Sequence, residues 1–154
     1  MSCQLNKLNF SGIVGLFISL AFASSTYAET CYLLPVTSTK NTIIKKTIFP
    51  ITSVLTGDNW YTDFIVSSDR SFNSYEATIV SEHTANYNVE LNLMYGDRPF
   101  DQSYKKDNVT IAVGKPLRLL GIPKSIQDPS QIKILVGGIN AIGNTYTIFV
   151  EGCI

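Results

Sequence analysis

Apolar and polar residues alternate along most of this chain, with the two-residue period of a β-strand. The clearest segment is residues 86–95 (NYNVELNLMY), where every second residue from Tyr87 to Tyr95 is apolar and most residues between them are polar. A helix would instead repeat its apolar positions about every 3.6 residues. We therefore expect a strand with one buried and one hydrated face, as in an antiparallel sheet.

Short runs of the same kind, rich in Ile, Val, Thr, Tyr and Phe, recur between turn residues. They lie at residues 31–36, 42–49, 52–55, 60–67, 74–81, 108–113, 116–120, 131–136 and 145–151. The best helical candidate, around residues 115–126, is interrupted by Gly121 and Pro123. The pattern predicts an all-β fold, an antiparallel two-sheet sandwich or jelly roll of roughly ten short strands. The longest predicted loops are residues 96–107 and 121–130.

The first 28 residues have the pattern of a cleaved secretory signal peptide. A basic start with Lys7 precedes an apolar stretch at residues 10–23, and small residues follow it. Cleavage after Ala28 is favoured over cleavage after Ala23, which would lie inside the apolar stretch. Residues 29–154 are then expected to form a single β-sandwich domain with no membrane anchor, because no later run is long enough to cross a bilayer.

Cysteine usage points to one disulfide bond. Cys3 would leave with the signal peptide, so Cys31 and Cys153 remain at the two ends of the domain. A pair of cysteines in an exported chain favours a disulfide over a redox-active pair or a metal site. The bond requires the first and last strands to lie side by side, with Cα atoms about 5.5 Å apart. These features predict a periplasmic or secreted protein.

Charge and motif content exclude several function classes. The chain has 12 basic and 12 acidic residues, which argues against nucleic-acid binding. His83 is the one histidine, and no nucleophile motif or nucleotide-binding glycine motif accompanies it. Too few ligands remain for zinc once the cysteines are paired, and basic residues among Asp97, Asp101 and Asp107 disfavour calcium in the loop at residues 96–107. We expect no cofactor, no metal and no enzymatic activity; a small hydrolase using His83 is a minor alternative.

Aromatic residues near turns are the candidate binding residues. Phe100 and Tyr104 are predicted to lie in a polar loop with Arg98, where each ring either folds back on the sandwich or faces a partner. Trp60 and Tyr61 follow the turn at residues 57–59, at the rim or in the core. The favoured function is a non-catalytic cell-envelope module that binds an envelope or extracellular protein, or serves as an accessory or structural subunit. The alternative is a carbohydrate-binding domain that stacks its aromatics on sugar rings.

Overall fold

The chain forms a β-sandwich in the computed structural model, which describes residues 29–50, 60–96, 99–124 and 126–154. Within these ranges there are nine strands, one 3-10 helix and no α-helix. The strands are β1 (Cys31–Leu33), β2 (Ile43–Thr47), β3 (Tyr61–Ile65), β4 (Ser74–Ser81), β5 (Ala85–Met94), β6 (Asp101–Ile111), β7 (Leu117–Gly121), β8 (Gln131–Gly137) and β9 (Thr145–Cys153). The 3-10 helix, Ile139–Ala141, connects β8 to β9. The predicted fold class is confirmed.

The strands are divided between two antiparallel sheets. Sheet A has the order β1-β9-β4-β7, with β2 also paired to β9, and sheet B has the order β3-β8-β5-β6. β1 and β2 pair with successive stretches of β9, because Leu33 lies opposite Glu151 and Ile43 lies opposite Phe149. They are therefore two parts of one edge strand of sheet A.

A short strap between β1 and β2, residues 34–42, reaches from sheet A to the edge of sheet B. Val36 forms an isolated bridge with Phe64 of β3, and the Ile65 amide donates to the Pro35 carbonyl at 2.8 Å. The Thr37 amide donates to the Asp63 carbonyl at 2.9 Å. The strap thus satisfies backbone groups of edge strand β3 and covers the gap between the sheets.

Alternate residues of both sheets fill the space between them. The largest fully buried side chains include Tyr75, Tyr87 and Tyr146, which confirms that most aromatics within strand patterns belong to the core. Burial raises the pKa of the Tyr75 hydroxyl, and nearby Asp128 raises it further. Burial likewise raises the pKa of Tyr146. Because charging either phenol inside this core would require removing the charge from water, both are held neutral.

The disulfide joins Cys31 of β1 to Cys153 of β9, two residues that lie directly opposite each other in the sheet. Their Cα atoms are 4.1 Å apart, closer than the sequence-based expectation. The cause is the register: Thr30 and Ile154 exchange both backbone hydrogen bonds next to them, so the cysteines form a non-hydrogen-bonded pair, where strands approach most closely. We refer to this end of the sandwich as the disulfide end.

The predicted loop at residues 96–107 is wrong, because β6 begins at Asp101 and continues to Ile111. The segment is polar because β6 lies at the edge of sheet B, where most of its side chains keep contact with water. Register shifts between β5 and β6 also interrupt the alternation that would have indicated a strand. The predicted signal peptide and the predicted strand at residues 52–55 lie outside the described residues. A search of the described helices finds none with the length and apolar character needed to span a membrane.

Candidate functional site

The outward face of sheet B carries most of the residues that could bind a ligand. Its core-facing residues, such as Val89, Leu91 and Ile134, are fully buried, so their neighbours along each strand point outward. Strand pairing aligns the outward residues in rows across the sheet. From the disulfide end these rows are Ile65, Gln131 and Met94; then Asp63, Lys133, Asn92 and Gln102; then Tyr61, Leu135, Glu90 and Lys105; then Gly137 and Asn88.

Trp60 packs directly on the backbone of Gly137 at the far end of this face. A Cβ atom built on Gly137 would lie 2.3 Å from Cδ2 of Trp60, so this ring position requires glycine. The indole Nε1–H donates to the carbonyl of Phe49 at 3.0 Å, which fixes the ring further. Trp60 is half-buried and also contacts the core. The position of the Trp60 ring is therefore fixed by its contacts, while part of its surface remains exposed to solvent.

An asparagine-rich cavity of about 300 Å³ lies next to this tryptophan, because Gly137 is paired with Asn88 across the sheet. We call it the asparagine pocket. Its walls come from the start of β5, a bulged part of β6 and the β8–β9 connection. The lining residues are Asn86, Asn88, Asn108, Gly138, Ile139 and Asn140.

Hydrogen bonds hold two of these amides, and the bond to Asn88 also fixes which end of its amide faces β6. The backbone N–H of Asn108 donates to Oδ1 of Asn88 at 3.0 Å, and the Thr110 hydroxyl donates to Oδ1 of Asn86 at 2.7 Å. A backbone N–H can only donate, so Asn88 must present its oxygen to β6. The NH₂ groups of Asn86 and Asn88 make no hydrogen bond to any described residue, so both are donors that the pocket can offer to a ligand.

Backbone conformation supports this arrangement at Gly138 and Asn108. Gly138 has a φ of 116°, and a Cβ atom there would lie 3.3 Å from the backbone nitrogen and 3.4 Å from Cγ of Asn88. Asn108 has a φ of 58°, a left-handed conformation that asparagine tolerates better than most residues. The two glycines after Val136 thus have separate roles: Gly137 admits Trp60 and Gly138 admits Asn88.

The chemical character of the pocket is uncharged and donor-rich. None of the six described residues that line it is ionisable. Ile139 is 83% exposed and supplies an apolar group at the rim. Such a site suits a neutral ligand that carries several oxygen acceptors.

Paired charges occupy the middle of the face. Lys105 and Glu90 form an ion pair at 2.8 Å, and the hydrogen bond that the Lys105 ammonium donates to the Glu90 carboxylate raises the pKa of Lys105 above its ordinary value. The Lys133 ammonium lies 4.9 Å from the centre of the Tyr61 ring. Acidic and basic groups alternate here, so the face has no strong charge of either sign.

A second cavity, of about 340 Å³, lies between the strap and β3 and is lined in part by Lys46, Tyr61 and Asp63. The Lys46 ammonium donates to the Tyr61 carbonyl at 2.6 Å and to the Thr62 hydroxyl at 3.1 Å. These bonds tie β2 to β3 across the gap between the sheets. We therefore interpret Lys46 as a structural residue.

The structure separates the residues that the sequence grouped as one candidate set. Trp60 and Tyr61 lie on or beside the outward face of sheet B. Tyr104 does not lie in a loop: it is in β6 opposite Leu91, half-buried against the core, because the inward positions of β6 cover the edge of that core. Phe100 is exposed at the disulfide end, and Arg98 lies outside the described residues.

Phe100 has an apolar neighbourhood of its own at the disulfide end. The ion pair between Lys124 and Asp101, at 3.2 Å, brings the β7–β8 connection beside the start of β6. Ile122, two residues before Lys124, and Phe100, next to Asp101, are 56% and 53% exposed. The chain therefore carries two exposed apolar side chains, which we call the apolar patch, at the end opposite the asparagine pocket.

His83 lies in the exposed turn between β4 and β5. Its backbone N–H and carbonyl both contact the Ser81 hydroxyl, at 3.2 Å and 2.6 Å. Its neighbour Glu82 forms an ion pair with Lys45. The residue therefore belongs to a hydrogen-bonded turn.

The asparagines are the residues that sequence reasoning missed. The strand pattern accounts for Asn86, Asn88 and Asn92 only as polar residues on its hydrated face. Asparagine is depleted in strands, so three on one face of a single strand already suggested a role beyond solvation. Asn108 and Asn140 come from distant parts of the chain, and only the fold brings them to this pocket.

Comparison with known proteins adds likeness to two solved structures. No protein-family model matches the chain, and no curated protein matches it. The chain is similar to a mutant of a family 29 carbohydrate-binding module at 10% identity, covering 84% of this chain and 81% of that chain with a TM-score of 0.43. It is also similar to a structure of CBM4 at 12% identity, covering 82% of this chain and 92% of that chain with a TM-score of 0.36.

Proposed function

We propose that this chain is an exported, non-catalytic β-sandwich module that binds a glycan at the asparagine pocket and the adjoining surface of Trp60. The observation that carries the proposal is the uncharged pocket, in which the NH₂ groups of Asn86 and Asn88 lack a partner among the described residues. Sugar hydroxyl and ring oxygens are neutral acceptors that match these donors.

The aromatic residue beside the pocket supports the same ligand class. The C–H faces of a pyranose ring are apolar, and they bury well against an indole. Trp60 is held by Gly137 and by its bond to Phe49, so a ligand would meet a ring whose position is already fixed. A fixed ring reduces the entropy lost on binding.

The sharpest test removes the NH₂ group of Asn88 and keeps the hydrogen bond between its side-chain oxygen and the Asn108 backbone N–H. Asn88→Asp keeps an oxygen to accept from the Asn108 amide but removes the NH₂ group. On a glycan array, the oxidised wild-type protein is expected to bind a subset of neutral glycans, and Asn88→Asp is expected to lose at least tenfold in affinity for them.

The matched control is Asn41→Asp, which makes the same change in charge and shape at an exposed position on the strap. It should bind as the wild type does. An array without any binding to the wild type, or equal binding by Asn88→Asp, would contradict the proposal.

Export is part of the proposal and is supported by the Cys31–Cys153 disulfide, which persists in oxidising compartments. We propose a periplasmic or secreted location after cleavage at Ala28. Mass spectrometry of the protein from its native source is expected to find an amino terminus at Glu29 and no free thiol. A full-length chain with reduced cysteines would contradict this location.

A second candidate function is binding to an envelope or extracellular protein through the patch at the disulfide end. Exposed Phe100 and Ile122 favour it, because apolar side chains at loop tips are common anchors in protein interfaces. Crosslinking in envelope extract is expected to yield a partner that Phe100→Ser loses and Asn88→Asp retains. Loss with both variants, or with neither, would contradict this second function.

A further inference from the structure

Two chemically different kinds of group line the asparagine pocket, an apolar side chain and amide donors. Ile139 begins the 3-10 helix, lines the pocket and is 83% exposed. The same small pocket contains the NH₂ groups of Asn86 and Asn88. An apolar group and amide donors therefore line one cavity.

We propose that the pocket takes the acetamido group of an N-acetylated amino sugar; this inference rests on the glycan-binding function proposed above. The acetamido carbonyl accepts a hydrogen bond from an asparagine NH₂ group, and its methyl group packs on Ile139. An amide carbonyl is a stronger acceptor than a hydroxyl, and the methyl group removes apolar surface of Ile139 from water.

Other sugar substituents fit the pocket less well. A hydroxyl in place of the acetamido group would leave the Ile139 side chain in contact with water or with a polar group. A carboxylate or an ammonium group would meet no opposite charge, because none of the described lining residues is ionisable. The lining therefore favours a neutral sugar that carries both an acceptor and a methyl group.

The test compares two trisaccharides that differ at the sugar C2 substituent: triacetylchitotriose, which carries acetamido groups, and cellotriose, which carries hydroxyl groups. Binding of each to the oxidised protein is measured by isothermal titration calorimetry. We expect triacetylchitotriose to bind at least tenfold more tightly. Ile139→Ala is expected to remove most of this preference by weakening triacetylchitotriose alone.

The control is Ile126→Ala, which removes the same atoms from a fully exposed isoleucine in the β7–β8 connection, away from the pocket. It should leave the preference unchanged. Equal affinity for the two trisaccharides, or a preference that survives Ile139→Ala, would overturn this inference while leaving glycan binding intact. If the wild type binds neither trisaccharide nor any glycan on the array, both proposals are overturned.

Discussion

Substituting Gly137 with alanine tests the placement of Trp60 directly. The new Cβ atom would lie 2.3 Å from Cδ2, 2.5 Å from Cε3 and 2.6 Å from Cγ of the indole. These distances are well inside van der Waals contact, so the ring or the strand must move. We expect the ring to move, because the backbone of Gly137 is held in β8 between paired strands.

The size of the effect follows from the burial of the ring. A tryptophan side chain buries about 150–250 Å² when fully covered, so exposing half of that area to water would cost about 2–3 kcal/mol at about 25 cal/mol per Å². Retaining the ring in a strained position would cost about 1–3 kcal/mol instead. Either route lowers the free energy of unfolding by about 1–3 kcal/mol. For a domain of this size, each kcal/mol corresponds to about 3–6 °C in Tm.

The assay is simplified because Trp60 is the one tryptophan in the sequence. Its fluorescence emission is expected to shift to the red in Gly137→Ala as the ring meets more water, and urea unfolding gives the stability change. Gly96→Ala is the control, because a Cβ atom there would contact nothing within 4 Å. Unchanged emission and stability in Gly137→Ala would refute the packing of Trp60 on Gly137.

Three further predictions concern stability. Cys31 and Cys153 are separated by 122 residues in sequence. In the chain-entropy model, reducing their disulfide bond should lower the free energy of unfolding by about 5 kcal/mol. An unchanged urea midpoint in the presence of reductant would contradict this. Burial raises the pKa of Tyr75 and Tyr146 in the folded protein. The free energy of unfolding that depends on these neutral hydroxyls is therefore fully present below the unfolded tyrosine pKa of about 10, and it is lost as the pH rises toward the pKa values of the folded state. Urea titrations above about pH 10 should show a loss of about 1.4 kcal/mol per pH unit for each tyrosine, and Tyr146→Phe should remove one tyrosine's share of that slope. Asn92 is 5% exposed and its Oδ1 has no hydrogen-bond partner among the described residues, so Asn92→Leu should raise stability by about 1 kcal/mol in urea unfolding; a loss of stability would indicate a bound partner for this amide.

The sequence predicted those parts of the fold in which local pattern and tertiary environment agree. β5 was clear because Tyr87, Val89 and Leu91 all face the core while Asn88 and Glu90 between them are only partly buried. The pairing of β1 with β9 followed from the two cysteines, since a covalent bond restricts which strands can be neighbours. The sheet order depends on packing between strands that are distant in sequence, and the pattern within a short segment does not determine it.

The edge strand β6 shows where pattern reasoning fails. Its polar residues resemble a loop because an edge strand has little need for apolar residues on either face. Tyr104 was assigned to that loop, although it packs against the core opposite Leu91. The bulges in the pairing with β5 removed the remaining periodic signal.

The candidate site could be predicted only in part for a related reason. Trp60 and Tyr61 were visible as aromatics near a turn, but the asparagine pocket joins β5, β6 and the 3-10 helix, which are distant in sequence. The fold packs Trp60 against Gly137, where a Cβ atom has no room, and places Gly138 beside Asn88 with a positive φ that favours glycine.

The most direct measurement of the central claim is the position of a bound glycan by nuclear magnetic resonance. Triacetylchitotriose, or whichever glycan binds best on the array, is titrated into isotopically labelled protein, and the side-chain amide signals are followed. The account predicts that the NH₂ signals of Asn86 and Asn88 and the indole signal of Trp60 move together and saturate with the ligand. Shifts confined to the Phe100 and Ile122 end, or no shift with any glycan, would contradict it.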